Sequence, residues 1–315
     1  MKFKTKFFII ILLFLAGAFV IYHFSKEESV FSFDFSAKQN KNDPELERIV
    51  STNLNGTKGK FAVYIEELEA THSAKRTPEN PRKYVLNEKE SFPTASLYKL
   101  VLLAVAMKEI ESGGLKLEDT ISGSKSNLTA KFGSVDFGYE DFPENFEFSV
   151  EEILERIGRI SDNFAAIMLT EKLRESSDPL LSMARELGMV NTSFNSATAE
   201  PNTTASDIAL FFKKLYLGEV VSKSASAKIM EILALSNIND RIPANLGDDV
   251  QVIHKTGELS KVRHDAGLIF PPYNPNYPSN PYLIVLLSKD LEFEDEGIET
   301  LAKISKGVWD YFQGK

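Results

Sequence analysis

Cysteine is absent from all 315 residues. That excludes disulfides, thiolate metal sites, a cysteine nucleophile and a thiol-borne lipid, and it fits either redox compartment. Histidine is scarce. His23, His72, His254 and His264 are the full set. None stands in a His-Glu-x-x-His pair, so no metal and no cofactor is expected. A Walker loop, a Gly-x-Gly-x-x-Gly fingerprint and a Gly-x-Ser-x-Gly elbow are also missing. Basic charge is in deficit: 36 Lys and Arg stand against 45 Asp and Glu, a formal net charge of −9. Without a basic excess there is no stripe to neutralise phosphates, so no nucleic-acid partner is expected. Internal repeats and low-complexity tracts are lacking too.

What is present is an ordinary globular balance, 43% hydrophobic and 26% charged, enough to bury a sizeable core. Lys2, Lys4 and Lys6 precede an uncharged, mostly apolar run from Phe7 to Tyr22, followed by Lys26, Glu27 and Glu28. Residues 1–24 therefore read as a membrane anchor or a signal segment. Cleavage near Ala16-Gly17-Ala18 would leave an apolar new terminus, which favours the uncleaved anchor. The lysines keep that end in the cytoplasm and export the rest; a cleaved segment would give a secreted protein. Residues 25–42 are polar and aperiodic and read as a tether. Residues 43–315 carry the folded domain.

Periodicity and punctuation give the element order. Asp43-Pro44 reads as a helix start, with the helix ending at Asn55-Gly56. Phe61 to Glu67 and Tyr84 to Asn87 read as hairpin strands. Thr94 to Glu111 is a helix apolar around nearly its whole circumference, hence buried, and Gly113-Gly114 stops it. Ser122 to Phe148 reads as a Gly- and aromatic-rich loop, with Lys131 to Phe146 bordering a cleft. Helices are expected at Val150 to Ile157, Asn163 to Arg174, Pro179 to Leu187, Ala205 to Leu217 and Ser224 to Leu235. Strands follow at Val250 to His254, Ala266 to Phe270 and Tyr282 to Leu287, with a turn at Pro271 to Pro281. A last helix spans Asp295 to Phe312. Strands from both ends must share one sheet, because neither set is stable alone. The helical block, about 97–235, is then an inserted lobe, and a cleft between lobe and sheet is the expected site.

Three short motifs carry chemistry. In Ser96-Leu97-Tyr98-Lys99 the hydroxyl and amine share one helix face, in the first turn where developing negative charge is favoured. A serine needs an adjacent base, and burial could lower the Lys99 pKa enough to supply one. The spacing is cheap, since Ser122-Gly123-Ser124-Lys125 repeats it in the expected loop. Ser161-Asp162-Asn163 lies at a break between helices, where its side chains could relay a proton and hold a carbonyl, or simply cap a helix. Lys255-Thr256-Gly257 ends a strand. Its ammonium and hydroxyl suit a carboxylate, and Gly257 allows close approach to the backbone.

In this order and setting the three motifs resemble those of class A β-lactamases and related penicillin-binding proteins. His254 to Leu259, Val262 to Gly267, Phe92 to Ala95 and Asn163 to Ala166 are also similar to that family. The resemblance runs from about Gly59 to the C-terminus. It implies an α/β (α+β) fold of the β-lactamase/transpeptidase type: a five-stranded antiparallel sheet, N- and C-terminal helices and an inserted all-α lobe. It implies Ser96 as nucleophile, Lys99 as its base and Ser161 as proton relay. The backbone N–H groups of Ser96 and Glu258 would form the oxyanion hole. Asn163 would hold the substrate side chain, and Lys255, Thr256 and Gly257 would form the carboxylate subsite, with Arg263 or His264 as further positive charge. A His264-Asp265 triad is the weaker reading, because the lysines already account for the serine.

The second intermotif interval, 94 residues, is about ten shorter than the family pattern. The shortening falls in Val190 to Asp207, where the family carries a glutamate that activates the deacylating water. Glu200 is the one glutamate there, and reads either as that base or as an ordinary loop carboxylate. The implied function is acyl-enzyme formation with a β-lactam and its hydrolysis. The alternatives are a D-Ala-D-Ala carboxypeptidase acting on peptidoglycan stems and a non-catalytic β-lactam or cell-wall binding module.

Overall fold

The computed structural model describes residues 42–69, 81–136, 138–174, 178–194, 201–272 and 280–314. The expected anchor, all but the last residue of the tether, most of the 271–281 turn and Glu200 lie outside the described residues. Among the described residues no helix is long and apolar enough to cross a membrane. The elements below belong to one unit, residues 41–315.

Helix α1 (Pro44–Leu54) starts where the Asp43 carboxylate accepts from the Glu45 and Leu46 amides at 2.9 and 3.1 Å, with proline in the first turn where no N–H is needed. Strands β1 (Lys60–Glu67) and β2 (Lys83–Leu86) follow. They join β7 (Gln251–Leu259), β8 (Val262–Phe270) and β9 (Tyr282–Lys289) in a five-stranded antiparallel sheet of order β2-β1-β9-β8-β7. Strands from the two ends of the chain therefore pair directly, Val63 opposite Leu286.

Strand β9 shows why this sheet lies inside the molecule. Leu283, Val285 and Leu287 pack into one core and Tyr282, Ile284 and Leu286 into another. Alternate side chains leave opposite faces of a strand, so an unbroken apolar run means both faces are covered. Helices α1 and α9 (Glu294–Phe312) cover one face. The other face carries α2 (Tyr98–Ser112), whose Leu100 to Ala106 are all buried, as its all-round apolarity requires.

The stretch read as one loop from Ser122 to Phe148 is more structured than expected. It contains β4 (Thr120–Ser124) paired with β5 (Asn145–Ser149), and α3 (Lys125–Phe132). In β5, Phe146 and Phe148 are buried and alternate with exposed Asn145 and Glu147. The second Ser-x-x-Lys thus crosses a strand end and a helix start, where Lys125 donates to the Phe142 carbonyl at 2.7 Å. Strands β7 and β8 also run further than their apolar cores suggested, because ladder pairing continues through Lys255 opposite Ala266 and Gly257 opposite His264. Lys255-Thr256-Gly257 accordingly lies within β7, not at its end.

Candidate active site

Three local irregularities carry the motif residues. The chain enters α2 through a 3-10 turn, Ala95–Leu97. Ala95 sits at φ +43°, a conformation that costs an L-residue free energy and is held by its surroundings. Short strand β3 (Phe92–Pro93) pairs with β6 (Asn202–Thr203), and Thr94 N–H donates to the Pro201 carbonyl at 3.0 Å. Helix α4 (Val150–Ile160) ends at Ser161, at φ +55°. Asp162 then caps α5 (Asn163–Leu173), accepting from the Ala165 amide at 2.8 Å. The N-cap reading of this motif is therefore correct, for Asp162, and it leaves Ser161 and Asn163 free for other contacts. Strand β7 is the sheet edge beside the 3-10 turn. A methyl group on Gly257 would lie 3.2 Å from Ala95 Cβ and 3.3 Å from His264 Cδ2, so the glycine lets β7 and the turn close up.

These pieces converge on Lys99, which is fully buried. Its Nζ lies within hydrogen-bonding distance of four oxygens, Ser96 Oγ at 3.1 Å, Ser161 O at 2.5 Å, Ser161 Oγ at 3.2 Å and Asn163 Oδ1 at 2.7 Å, one more than an ammonium has N–H donors. Burial lowers its pKa to about 8, although the Asp136 and Asp162 carboxylates pull upward. Lys255 is buried as well and reaches the same hydroxyl, donating to Ser161 Oγ at 2.6 Å. Burial, then the nearby Lys99, pushes the Lys255 pKa well below its ordinary value. Two ammonium groups sharing one oxygen in a dry site disfavour double charging, so Ser161 links a pair of amines between which a proton can move.

Ser96, Ser161, Asn163, Thr256 and Glu258 line one cavity of about 500 Å³, together with Tyr98 and Pro201 among others. Asp136 accepts from Asn163 N at 2.7 Å and Nδ2 at 3.0 Å, fixing the amide so that its oxygen faces Lys99. Arg156 and Tyr139 both donate to Asp162, at 2.7 and 2.9 Å, and so brace the turn.

The expected extra cations lie elsewhere. Arg263 pairs with Glu294 and donates to the Leu259 and Val262 carbonyls. His264 accepts the Ser288 amide at Nδ1, so Nε2 carries the proton and donates to the Pro93 carbonyl at 2.8 Å. Burial pushes its pKa down to about 4, which leaves it neutral. Asp265 bonds His254, not His264, so no triad forms through His264. Besides Lys99, the positive charge acting on Lys255 comes from Arg241, fully buried and ion-paired with both Glu258 and Asp240. Sequence reading missed Arg241 and Asp136. Both lie in stretches with no motif of their own, and their relevance arises only from folding.

The site and the fold define a β-lactamase/transpeptidase-like architecture with a serine, two lysines and a second serine at its centre. The sequence model of the beta-lactamase enzyme family matches residues 44–312; the chain belongs to that family and is a serine hydrolase acting on amide bonds. The solved structure of PBP-A is 22% identical, with a TM-score of 0.72 over 86% of this chain and 97% of that one. The beta-lactamase from Sphaerobacter thermophilus DSM 20745 is 18% identical, with a TM-score of 0.71 over 85% and 97%. The D-alanyl-D-alanine carboxypeptidase DacF of Bacillus subtilis (strain 168) is 28% identical over 149 residues, 44% of this chain. The match spans 37% of that relative's length.

Proposed function

We propose that the protein is a membrane-anchored, extracytoplasmic enzyme that forms an acyl-enzyme at Ser96 with a β-lactam or the amide of a peptidoglycan stem, and releases it slowly. The observation that carries this reading is the position of Lys99, buried with its Nζ 3.1 Å from Ser96 Oγ and its pKa lowered to about 8. In its neutral form Lys99 takes the Ser96 proton as the oxygen attacks the carbonyl carbon. The oxyanion meets the backbone N–H groups of Ser96 and Glu258. Ser161 delivers a proton to the leaving nitrogen and is resupplied from the lysine pair. Asn163 orients the acyl side chain, and Thr256 with Lys255 faces the leaving-group side.

Slow release is supported by the shortened Val190 to Asp207 stretch, the region where the family carries its water-activating glutamate. Kinship to a D-alanyl-D-alanine carboxypeptidase supports a cell-wall peptide as the natural substrate class. The apolar run after Lys2, Lys4 and Lys6 supports the anchor and the exported location.

The test is electrospray mass of the full-length chain with benzylpenicillin over time. A persistent adduct at the full ligand mass, absent in Ser96→Ala, is expected. Rapid ring opening without an adduct would replace this reading with efficient β-lactam hydrolysis. Labelling that survives Ser96→Ala would remove Ser96 as nucleophile.

A further inference from the structure

A second cavity, of about 490 Å³, adjoins the one that holds Ser96. Tyr98, Ile167 and Pro201 line both. Among its described lining residues none belongs to β7, so it extends past Asn163 on the acyl side, away from Thr256 and the leaving group. Its walls are largely apolar, with Leu180 and Phe194 beside the three shared residues. The charged groups on them are Lys131, Glu171 and Arg174. Lys131 and Glu171 pair with each other. Of the carboxylates flanking the walls, Asp136 accepts from Asn163 and Asp178 from the Leu181 amide. Arg174 has no side-chain hydrogen bond and no ion pair among the described residues, yet it lies close enough to Tyr98 to act on its hydroxyl.

An apolar channel with one uncompensated guanidinium suits an apolar chain that carries an anion. The planar fork of N–H donors matches a carboxylate in two parallel bonds. Ile167 stands one turn of α5 beyond Asn163, and Arg174 ends that helix about three turns, or 16 Å, beyond it. A short acyl group does not span that distance, whereas a long one does. Resting on the acylation reading above, we infer that the second cavity is an acyl-side subsite in which Arg174 binds a carboxylate. The preferred substrate class is then a peptide whose acyl part is long and carries a free side-chain carboxylate.

The test uses two penicillins made by coupling 6-aminopenicillanic acid to one end of octanedioic acid. The far end is a carboxylate in one and a carboxamide in the other, so the two differ in that charge. Dissociation constants are read by ligand-observed NMR titration of the full-length Ser96→Ala chain, which makes the result independent of acylation. Failure of the acylation reading would show separately, as no adduct of either penicillin on the parent chain. The carboxylate is expected to bind about five-fold tighter than the carboxamide, the scale of an exposed charge pair. Adding Arg174→Gln should erase the preference. Adding Glu171→Gln, which removes the anion from the wall and frees Lys131, should widen it. Both positions are exposed, so the variants should fold, and circular dichroism would verify that. Equal affinities on the starting chain, no binding by either ligand, a preference that survives Arg174→Gln or one that narrows in Glu171→Gln would each overturn the proposal.

Discussion

Burial and two carboxylates act in opposite directions on Lys99. Burial favours the neutral amine; Asp136 and Asp162 favour the ammonium. The balance at about 8 places the amine within reach of neutral pH as a base. Because the neutral form is the active one, the acylation rate should rise with pH through an apparent pKa near 8. Asp136→Asn removes one of the two carboxylates that stabilise the ammonium, so the pKa should fall and the rising limb should move to lower pH. Stopped-flow acylation across pH 5 to 10 would check this. An unmoved limb would mean that Asp136 only positions Asn163. A second expectation concerns the shared hydroxyl. Ser161→Ala takes away the oxygen that both lysines contact, and acylation should slow by about 10²–10⁴-fold while the fold survives, which circular dichroism would verify.

At the scale of elements, the site depends on where helices stop. Helix α4 must end where Ser161 can turn to face Lys99, and its last turn packs on the end of α8 (Lys223–Leu233). Gly158 makes that contact possible, since a methyl there would fall 2.1 Å from the Ile232 carbonyl oxygen. Backbone cannot give way as a flexible side chain can. Gly158→Ala should therefore cost about 1–3 kcal/mol and lower the melting temperature by roughly 3–10 °C, measured by differential scanning calorimetry. An unchanged midpoint would show that the two helices slide apart freely.

The elements also show what the sequence could and could not tell. Helix α1, with its Asp43 cap and its Asn55-Gly56 stop, was legible at both ends; α2 was legible at its Gly113 stop but starts at Tyr98 and not at Thr94, because the chain enters it through an uncapped 3-10 turn. Strand β5 was not legible. Its alternation is two phenylalanines long and sits among Gly133, Gly138 and Pro143, which read as turn signals. Strands β7 and β8 were cut short because their polar halves hold motif residues, so apolar periodicity fails where the ladder continues. The three motifs named the residues that meet at Lys99, because each is local and ordered. Arg241 and Asp136 have no local signal, since what they do depends on neighbours 17 and 27 residues away.

For the whole molecule, the sheet separates stability from chemistry. One core, reached by Leu283, Val285 and Leu287, includes α2 and backs the site. The other holds α1, α9 and the opposite face of β9. That second core joins the first and last helices of the described residues, as Tyr311 donating to Asp43 at 2.9 Å also shows. Its cohesion decides whether β1 and β9 stay paired, and so whether the molecule is folded, but no site residue projects into it. Trp309, nearly buried in this core, gives a clean test. Trp309→Ala should cost about 3–5 kcal/mol and lower the thermal midpoint sharply. Among molecules still folded at low temperature, the acylation pKa should remain near 8 and the rate constant should match the parent. Calorimetry and pH-dependent acylation on the same sample read the two quantities separately. A shifted pKa together with the lower midpoint would mean that the two faces of the sheet are mechanically coupled, so that strain at the far face reaches Lys99 through β9 and β8.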